Sequence, residues 1–305
     1  MYQKEKIPMK MLVIGGTYFL GRVFTMLAST KHQLTLINRG HYDMSSYAVE
    51  QFHFDRHDQV KWQELANRKF DVVVDFCAYQ QNDIKIVTDI LQNHIKQYIY
   101  ISTVDVYLRQ SGKLQDENHP LENRHFAGDE GEYIYQKRLL EDELITQCTK
   151  FGIAYNSIRP GNIYGPYNYA PRESLLIKRA IEQKNLFHLS DAKAKFQMVY
   201  VKDVVNALLM IIEQKIYDQS FNIVNDELID YDQINEILSS CQPLSIEDHT
   251  IKEAIDCQYP LPFPVALWQQ ELYSGKKIEN VGLVFTPLKE GLKKTYEAFL
   301  PVYQK

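Results

Sequence analysis

Met9-Lys-Met-Leu-Val-Ile-Gly15-Gly-Thr-Tyr-Phe-Leu-Gly21 decides the fold. Its apolar half reads as a short strand, Met9 to Ile14. The glycines that end it lead into Phe19 to Ala28, where apolar residues recur at helical spacing, and Gln33 to Ile37 is β-branched and apolar again. Strand, glycine turn, helix, strand is the opening of a parallel sheet. Such a turn lets backbone approach a pyrophosphate, which the helix N-terminus holds through its free amides and dipole. Gly15, Gly16 and Gly21 supply the small residues, and Tyr18 stands among them.

The alternation continues. Gln51 to Asp55, Phe70 to Phe76 and Gln97 to Ser102 read as strands, with helices near Val60 to Ala66 and from Asp83 to Asn93 between them. A long helix carries Tyr133 and runs to about Lys150, with Glu141 and Glu143 expected on its surface; Ile153 to Arg159 is the next strand. Beyond Pro160 the pattern loosens into Gly161-Asn-Ile-Tyr-Gly-Pro-Tyr-Asn-Tyr-Ala-Pro171, rich in turn formers. A helix near Glu173 to Gln183, a strand near Gln197 to Val201, a helix from Asp203 to about Gln214 and a strand Ser220 to Val224 follow, before a proline-rich remainder that suits an irregular helical lobe. The expected fold is α/β: a Rossmann-type doubly wound parallel sheet with a smaller C-terminal substrate-binding lobe. Residues 1–160, with return segments near 197–225, form the dinucleotide-binding domain; 161–196 and 226–305 form the lobe.

Composition excludes several classes of function. The net charge of -5 and a pI near 6.0 leave no basic stripe to neutralise nucleic-acid phosphates. Cys77, Cys148, Cys241 and Cys257 are scattered, without a Cys-x-x-Cys pair, and no histidines cluster at metal-ligand spacing, so a reducing cytosol and no metal are expected. Cys77 falls in an apolar strand and reads as core. Met1 to Pro8 is polar and reads as a loose tail, not a signal peptide, and nothing later reads as a membrane span. A cytoplasmic protein follows.

Chemistry gathers at the ends of strands. Asn38-Arg39-Gly40 closes the second strand, where an acidic residue would bond an NAD ribose and an arginine accommodates the 2′-phosphate of NADP. The arginine leans to NADP, with NAD the alternative. Asp55 either accepts from an adenine amino group or caps a helix. In Tyr98-Ile-Tyr-Ile-Ser-Thr-Val-Asp-Val-Tyr107 the hydroxyls of Ser102 and Thr103 fall at the strand edge where open α/β sheets bind ligands. Tyr133 and Lys137 lie one helical turn apart, so an ammonium beside a phenol lowers its pKa and makes it a base. Tyr135 competes, but its four-residue partner is Leu139.

These residues resemble the extended short-chain dehydrogenases/reductases, the NAD-dependent epimerase/dehydratase group. The likeness covers nearly the whole chain: the glycine turn, Ile101-Ser-Thr-Val-Asp-Val-Tyr107, Tyr133-x-x-x-Lys137, Arg159-Pro-Gly-Asn-Ile-Tyr-Gly-Pro166, Val199-Tyr-Val-Lys-Asp-Val204, and Gly282-Leu-Val-Phe-Thr-Pro287 with Glu290-Gly-Leu292. It implies Thr103, Tyr133 and Lys137 as the catalytic set, Lys137 also holding the nicotinamide ribose. It implies cofactor contacts from Gly15, Thr17, Tyr18, Phe19, Leu20 and Gly21, from Asn38, Arg39 and Asp55, from Ala78 and Tyr79 after the fourth strand, and from Pro160 through Ile163. A homodimer is implied as well.

Three departures bear on the substrate. Tyr18 replaces the middle glycine, which resembles an atypical subgroup with a Gly-Gly-Thr-x-Phe-Leu-Gly-Arg turn, and its side chain is expected either to close over the pyrophosphate or to alter cofactor affinity. Phe196-Gln197 stands where many members carry an arginine that grips a sugar-nucleotide diphosphate, with Lys193 and Lys195 nearby. Val104 and Asp105 replace the Asp-Glu pair of sugar 4,6-dehydratases, which leaves Asp105 a structural or substrate-polar role. The expected function is hydride transfer at a secondary alcohol or ketone of a sugar-like or other small polar substrate, as an epimerase or a reductase. Tyr164, Tyr167 and Tyr169 either line a pocket or pack the lobe. The alternative is a non-catalytic dinucleotide-binding regulator or RNA-binding protein, since the atypical subgroup also resembles plant stem-loop RNA-binding relatives.

Overall fold

The computed structural model describes residues 7–47, 50–168 and 170–304. Residues 1–6 of the leader and Tyr169 lie outside the described residues. The chain divides into two compact units. The first comprises residues through Leu108, Pro120–Arg159 and Val205–Phe221; the second comprises Arg109–His119, Pro160–Val204 and Asn222 onward. The return segment expected near 197–225 is therefore divided, with 197–204 in the second unit and 205–221 in the first.

The first unit is built on a seven-stranded sheet. Its elements are β1 (Lys10–Ile14), α1 (Phe19–Ala28), β2 (Gln33–Asn38), β3 (Glu50–His53), α2 (Gln59–Trp62), β4 (Phe70–Asp75), α3 (Asp83–Leu91), β5 (Ile95–Ile101) and α4 (Asp129–Phe151). The sheet order is Gln219–Ile223, Ala154–Pro160, β5, β4, β1, β2, β3, and the pairs from β3 through Ala154–Pro160 are parallel. Strands covered on both faces need continuous apolar runs, which Met11–Ile14 and Val72–Val74 supply, all of them buried. α1 packs through Leu20, Val23, Phe24 and Ala28, the stripe that helical spacing predicts. Two expected elements are shorter than their sequence pattern: β3 stops at His53, leaving Asp55 in a turn, and α2 stops at Trp62.

Close approach of α1 to the turn explains its last glycine. A Cβ on Gly21 would stand 2.3 Å from the Gly15 carbonyl oxygen, so no larger residue fits without moving backbone. Position 18 carries no such demand. Tyr18 is extended, at φ -128°, and any residue adopts that conformation; left-handed backbone falls instead on Gly15, at φ 82°, and on Phe19, at φ 36°.

α4 carries acidic residues Asp129, Glu130 and Glu132 in its first turn, where they complement the helix dipole. Its buried stripe is Ile134, Lys137, Leu140, Glu141, Leu144 and Cys148. Glu141 is thus not on the surface as expected. It sits on the core face one turn beyond Lys137. Glu143 lies at the helix edge, where its carboxylate accepts the Asn82 and Lys85 amides at 2.7 Å each and caps α3.

In the second unit the tail motif is explained by its partners. Asp203 accepts both the Thr286 amide and its hydroxyl at 2.8 Å, joining the Val-Lys-Asp and Phe-Thr-Pro motifs. A Cβ on Gly291 would stand 2.0 Å from the Tyr164 hydroxyl, so the glycine of Glu290-Gly-Leu292 makes room for that ring. Tyr164 is fully buried against Tyr200, which resolves it as lobe packing. Among the described residues no helix is long and apolar enough to cross a membrane.

Gly21→Ala is expected to lower stability by about 1–3 kcal/mol through overpacking, whereas Tyr18→Gly should cost about 1 kcal/mol or less, the entropic penalty of glycine in an unstrained position. Urea denaturation of the two variants beside the parent chain checks the contrast.

Candidate active site

Lys137 is the centre of the first unit's chemistry. Its side chain is 2% exposed, and its ammonium donates to the carbonyl oxygens of Ala78 and Ile101 at 2.9 Å each. These acceptors belong to the loop after β4 and to the last residue of β5, so the lysine ties both strand ends to α4. Three tyrosine rings enclose the ammonium, with centroids at 4.5 Å (Tyr79), 5.1 Å (Tyr100) and 5.8 Å (Tyr133). Burial pushes its pKa down to about 8, against the opposing pull of the Asp75 carboxylate. The expected partner Tyr133 is 40% exposed, its ring open to solvent on one side. Tyr135 turns away and stacks on His125 at 4.4 Å between centroids. Of the two tyrosines, only Tyr133 has its ring recorded beside the lysine.

Thr103 is buried and engaged with Asp105. Its hydroxyl donates to the Asp105 carboxylate at 2.7 Å and accepts the Asp105 amide at 3.2 Å, capping a single turn over Val104–Val106. The segment around it is pinned on the core side. Ser102 donates its amide to the Ile158 carbonyl at 2.7 Å, and Arg159 donates to the Tyr107 hydroxyl at 2.8 Å. Arg159 also forms a fork with Glu141 at 2.9 and 2.6 Å, and Ser157 adds a third bond to that carboxylate at 2.6 Å. Burial alone would raise the Glu141 carboxyl, but the bonds and charge of Arg159 hold it below its ordinary value. Spacing offered the signal for this pair: Glu141 follows Ile134 by seven residues and precedes Cys148 by seven, on the apolar stripe.

A second buried pair escaped the sequence reading. Arg56 forms a fork to Asp75 at 3.0 and 2.9 Å and donates to the Asp83 carbonyl at 2.7 Å, while the Tyr98 hydroxyl donates to Asp75 at 2.6 Å. Asp83 accepts the amides of Tyr79 and Gln80 at 2.7 and 3.1 Å. The network therefore fixes the loop whose Ala78 carbonyl receives Lys137. A lone aspartate ending the apolar run of β4 was its signature. Cys77, expected within the strand, lies beyond its end and is half-buried; burial pushes its thiol up to about 12, which disfavours the thiolate.

The glycine turn keeps the shape of a phosphate cradle. Gly15 donates its amide to the Ile37 carbonyl at 3.0 Å, and Thr25 donates to the Gly16 carbonyl at 2.7 Å, so the turn is fixed from both sides. Thr17 and Leu20 are buried beside it, and Tyr18 is half-exposed. At the end of β2, the Asn38 side-chain oxygen accepts the Gly40 amide at 2.7 Å and lies 3.0 Å from His53 Nδ1. The oxygen is thereby fixed, and the buried Nδ2 donor has no hydrogen-bond partner among the described residues. Arg39 is exposed beside it. Asp55 faces its own turn: it accepts the His57 amide at 2.9 Å, which holds its carboxyl below the ordinary value. The helix cap there comes from Asp58. Pro160 and Ile163 belong to the second unit, Ile163 on the short strand Asn162–Tyr164 paired in parallel with Val199.

A turn whose Gly16 and Gly21 leave no room for a larger side chain and an orphaned buried donor at the second strand end both fit a dinucleotide. Residues 11–225 match the family described as the NAD dependent epimerase/dehydratase family. The chain belongs to that family. A curated relative, the chloroplast stem-loop binding protein of 41 kDa b from Arabidopsis thaliana, is 28% identical over 252 residues, covering 76% of this chain and 63% of the relative, so this chain spans less than two thirds of the relative's length. Solved structures share the fold. UDP-N-acetylglucosamine 4-epimerase from Methanobrevibacter ruminantium, in complex with UDP-N-acetylmuramic acid, superposes with a TM-score of 0.77 at 16% identity over 97% of this chain and 100% of that one. UDP-glucose 4-epimerase from Thermotoga maritima with UDP-glucose gives 0.74 at 18% over 96% and 99%. dTDP-glucose 4,6-dehydratase from Bacillus anthracis, in complex with NAD, gives 0.75 at 18% over 97% and 98%.

The Arg159–Glu141 pair yields a signed pH prediction. Arg159→Met strands a buried carboxylate and should cost about 3–5 kcal/mol at neutral pH, much of it recovered in the Arg159→Met, Glu141→Leu double variant. In the parent chain the Glu141 carboxyl is depressed, so its contribution is present above the ordinary glutamate value of 4.5 and is lost as pH falls through the folded pKa. In the single variant burial raises that carboxyl instead. The stability gap between the two should therefore narrow as pH falls from 7 through 4.5, a trend that urea melts across this range would reveal.

Proposed function

We propose that the protein transfers hydride at a secondary alcohol or ketone of a sugar-like or other small polar substrate, with Tyr133 as acid and base, Lys137 beside it and Thr103 at the substrate oxygen. The observation that carries this reading is the buried Lys137 ammonium, fixed by two carbonyls with the half-exposed Tyr133 ring beside it. A neighbouring cation favours the phenolate, so the phenol can take a proton from an alcohol or return it to a ketone. When bound, a nicotinamide supplies the hydride chemistry; Gly15, Thr17 through Gly21, Asn38, Arg39, the backbone of Ala78 and Tyr79, and Lys137 are what the first unit offers to hold it. Asp55, engaged with His57, is the weakest of the original set.

NADP is the preferred cofactor in this reading, although NAD occupies the dehydratase neighbour. The support is charge and donor pattern: Asn38 offers a fixed N–H, Arg39 an exposed cation, and no carboxylate ends β2. A sugar nucleotide is disfavoured as substrate because Phe196-Gln197 stands in the stretch where many members carry the diphosphate-gripping arginine, and Gln197 is spent on structure. Its amide donates to the Asn225 and Tyr273 carbonyls at 3.2 and 2.8 Å and accepts the Tyr273 amide at 2.8 Å. The reading carries with it a cytoplasmic homodimer.

Tyr133→Phe should lower turnover by about 10²–10⁴-fold on whichever alcohol or ketone of a substrate panel the parent accepts, while NADPH binding stays nearly intact; unchanged turnover would sink the mechanism. Arg39→Ala should weaken NADPH by about 10–100-fold, the worth of a charged hydrogen bond, and leave NADH untouched; equal losses for both would remove the NADP preference. Tightly retained, unconsumed cofactor in the purified protein would favour an epimerase over a reductase. A second reading, an RNA-binding protein on the same fold, draws its support from the name of the Arabidopsis relative. The net charge of -5 weighs against it. Titration with a labelled stem-loop RNA, which should show no binding at 150 mM salt, separates the two.

A further inference from the structure

Lys137 has three N–H donors, and two end on the carbonyls of Ala78 and Ile101. The third meets no acceptor among the described residues and lies among aromatic faces. Of the enclosing rings, Tyr100 is fully buried in the core and Tyr133 is carried by α4. The nearest ring, that of Tyr79 at 4.5 Å, is also the most exposed, at 54%. It stands on the loop after β4, so it can swing out without opening the core. Its backbone cannot follow: the Tyr79 and Gln80 amides are held by Asp83, and the adjoining Ala78 carbonyl is held by Lys137 itself. Rotation about the side-chain bonds is the only motion this arrangement leaves cheap.

We propose that Tyr79 is an aromatic lid over Lys137, closed by a cation–π contact in the free chain and displaced when a nicotinamide ribose comes to the ammonium. This rests on the reading of the site as a nicotinamide site. A cation shielded from water recovers from a ring face part of what it loses in hydration, and a contact of this kind is worth about 0.5–2 kcal/mol. Such a closed state reduces the apparent affinity for the dinucleotide by the fraction of molecules in which the lid is open. Tyr79 is accordingly a positioning residue, acting through Lys137.

The test compares the parent with Tyr79→Ala and Tyr79→Phe, using NADPH and NADP+ as probes, with two readouts. One is the dissociation constant from fluorescence or calorimetry. The other is the pH titration of the Lys137 side chain, followed by NMR of ε-carbon-labelled lysine and assigned with Lys137→Arg. In Tyr79→Ala the dinucleotide should bind about tenfold more tightly, as expected for a lid closed nine-tenths of the time. The Lys137 midpoint should rise from near 8 toward that of a solvated lysine, since burial is what lowers it. Tyr79→Phe keeps the ring and should match the parent in both. NADPH should also shift the Lys137 resonance of the parent. Weaker binding in Tyr79→Ala, or tight binding with an unmoved lysine resonance, would overturn the lid while leaving the nicotinamide site standing. If neither the parent nor any variant bound a nicotinamide dinucleotide, the site reading would fall, and the displacement with it.

Discussion

An ammonium taken out of water needs acceptors already in place, and the burial of Lys137 is the constraint on which the first unit's site depends. Leaving such a charge unpaired inside a protein costs several kcal/mol. The two carbonyls that meet it come from separate strand ends, so each end has to be held independently. Asp83 and the Arg56–Asp75 fork hold the loop after β4. Arg159, through Tyr107, holds the segment after β5, and Glu141 holds Arg159. The polar groups of this interior are thus not scattered exceptions to a hydrophobic core. They form two braces on either side of one lysine.

Much of this framework is legible in the amino-acid sequence. The helices Phe19–Ala28 and Glu173–Gln183 keep their expected bounds, because apolar residues recur on one face and turn formers flank them. The parallel strands are legible as buried apolar runs. The placement of Tyr133 and Lys137 one turn apart on a single helix is legible through helical spacing. Spacing also puts Glu141 on the apolar stripe, but a charged residue is read as solvated until its partner is known, and that partner, Arg159, lies on another element. The same reason hides Arg56 and Asp75.

The second unit resists reading for a different reason. Its strands Leu114–Gln115, Leu228–Ile229 and Leu272–Tyr273 are too short to show any period. Ser245–His249 is largely exposed and pairs in parallel with Asn185–Leu189, so no alternation of apolar and polar residues announces it. What holds these pieces together is side-chain amide chemistry, as at Gln197, and stacked rings such as Phe196 on Phe263 at 4.3 Å. Neither device leaves a periodic mark.

Phe19 bears left-handed backbone in the glycine turn, as Gly15 does, a conformation that a glycine takes freely. A phenylalanine there narrows the set of shapes available to the loop. Glycine would leave the loop to be ordered at the moment of binding, whereas here much of that conformational entropy has already been surrendered during folding. The strain is thus spread over the lifetime of the folded molecule, and an anion arriving at the helix end meets a surface that has little left to lose.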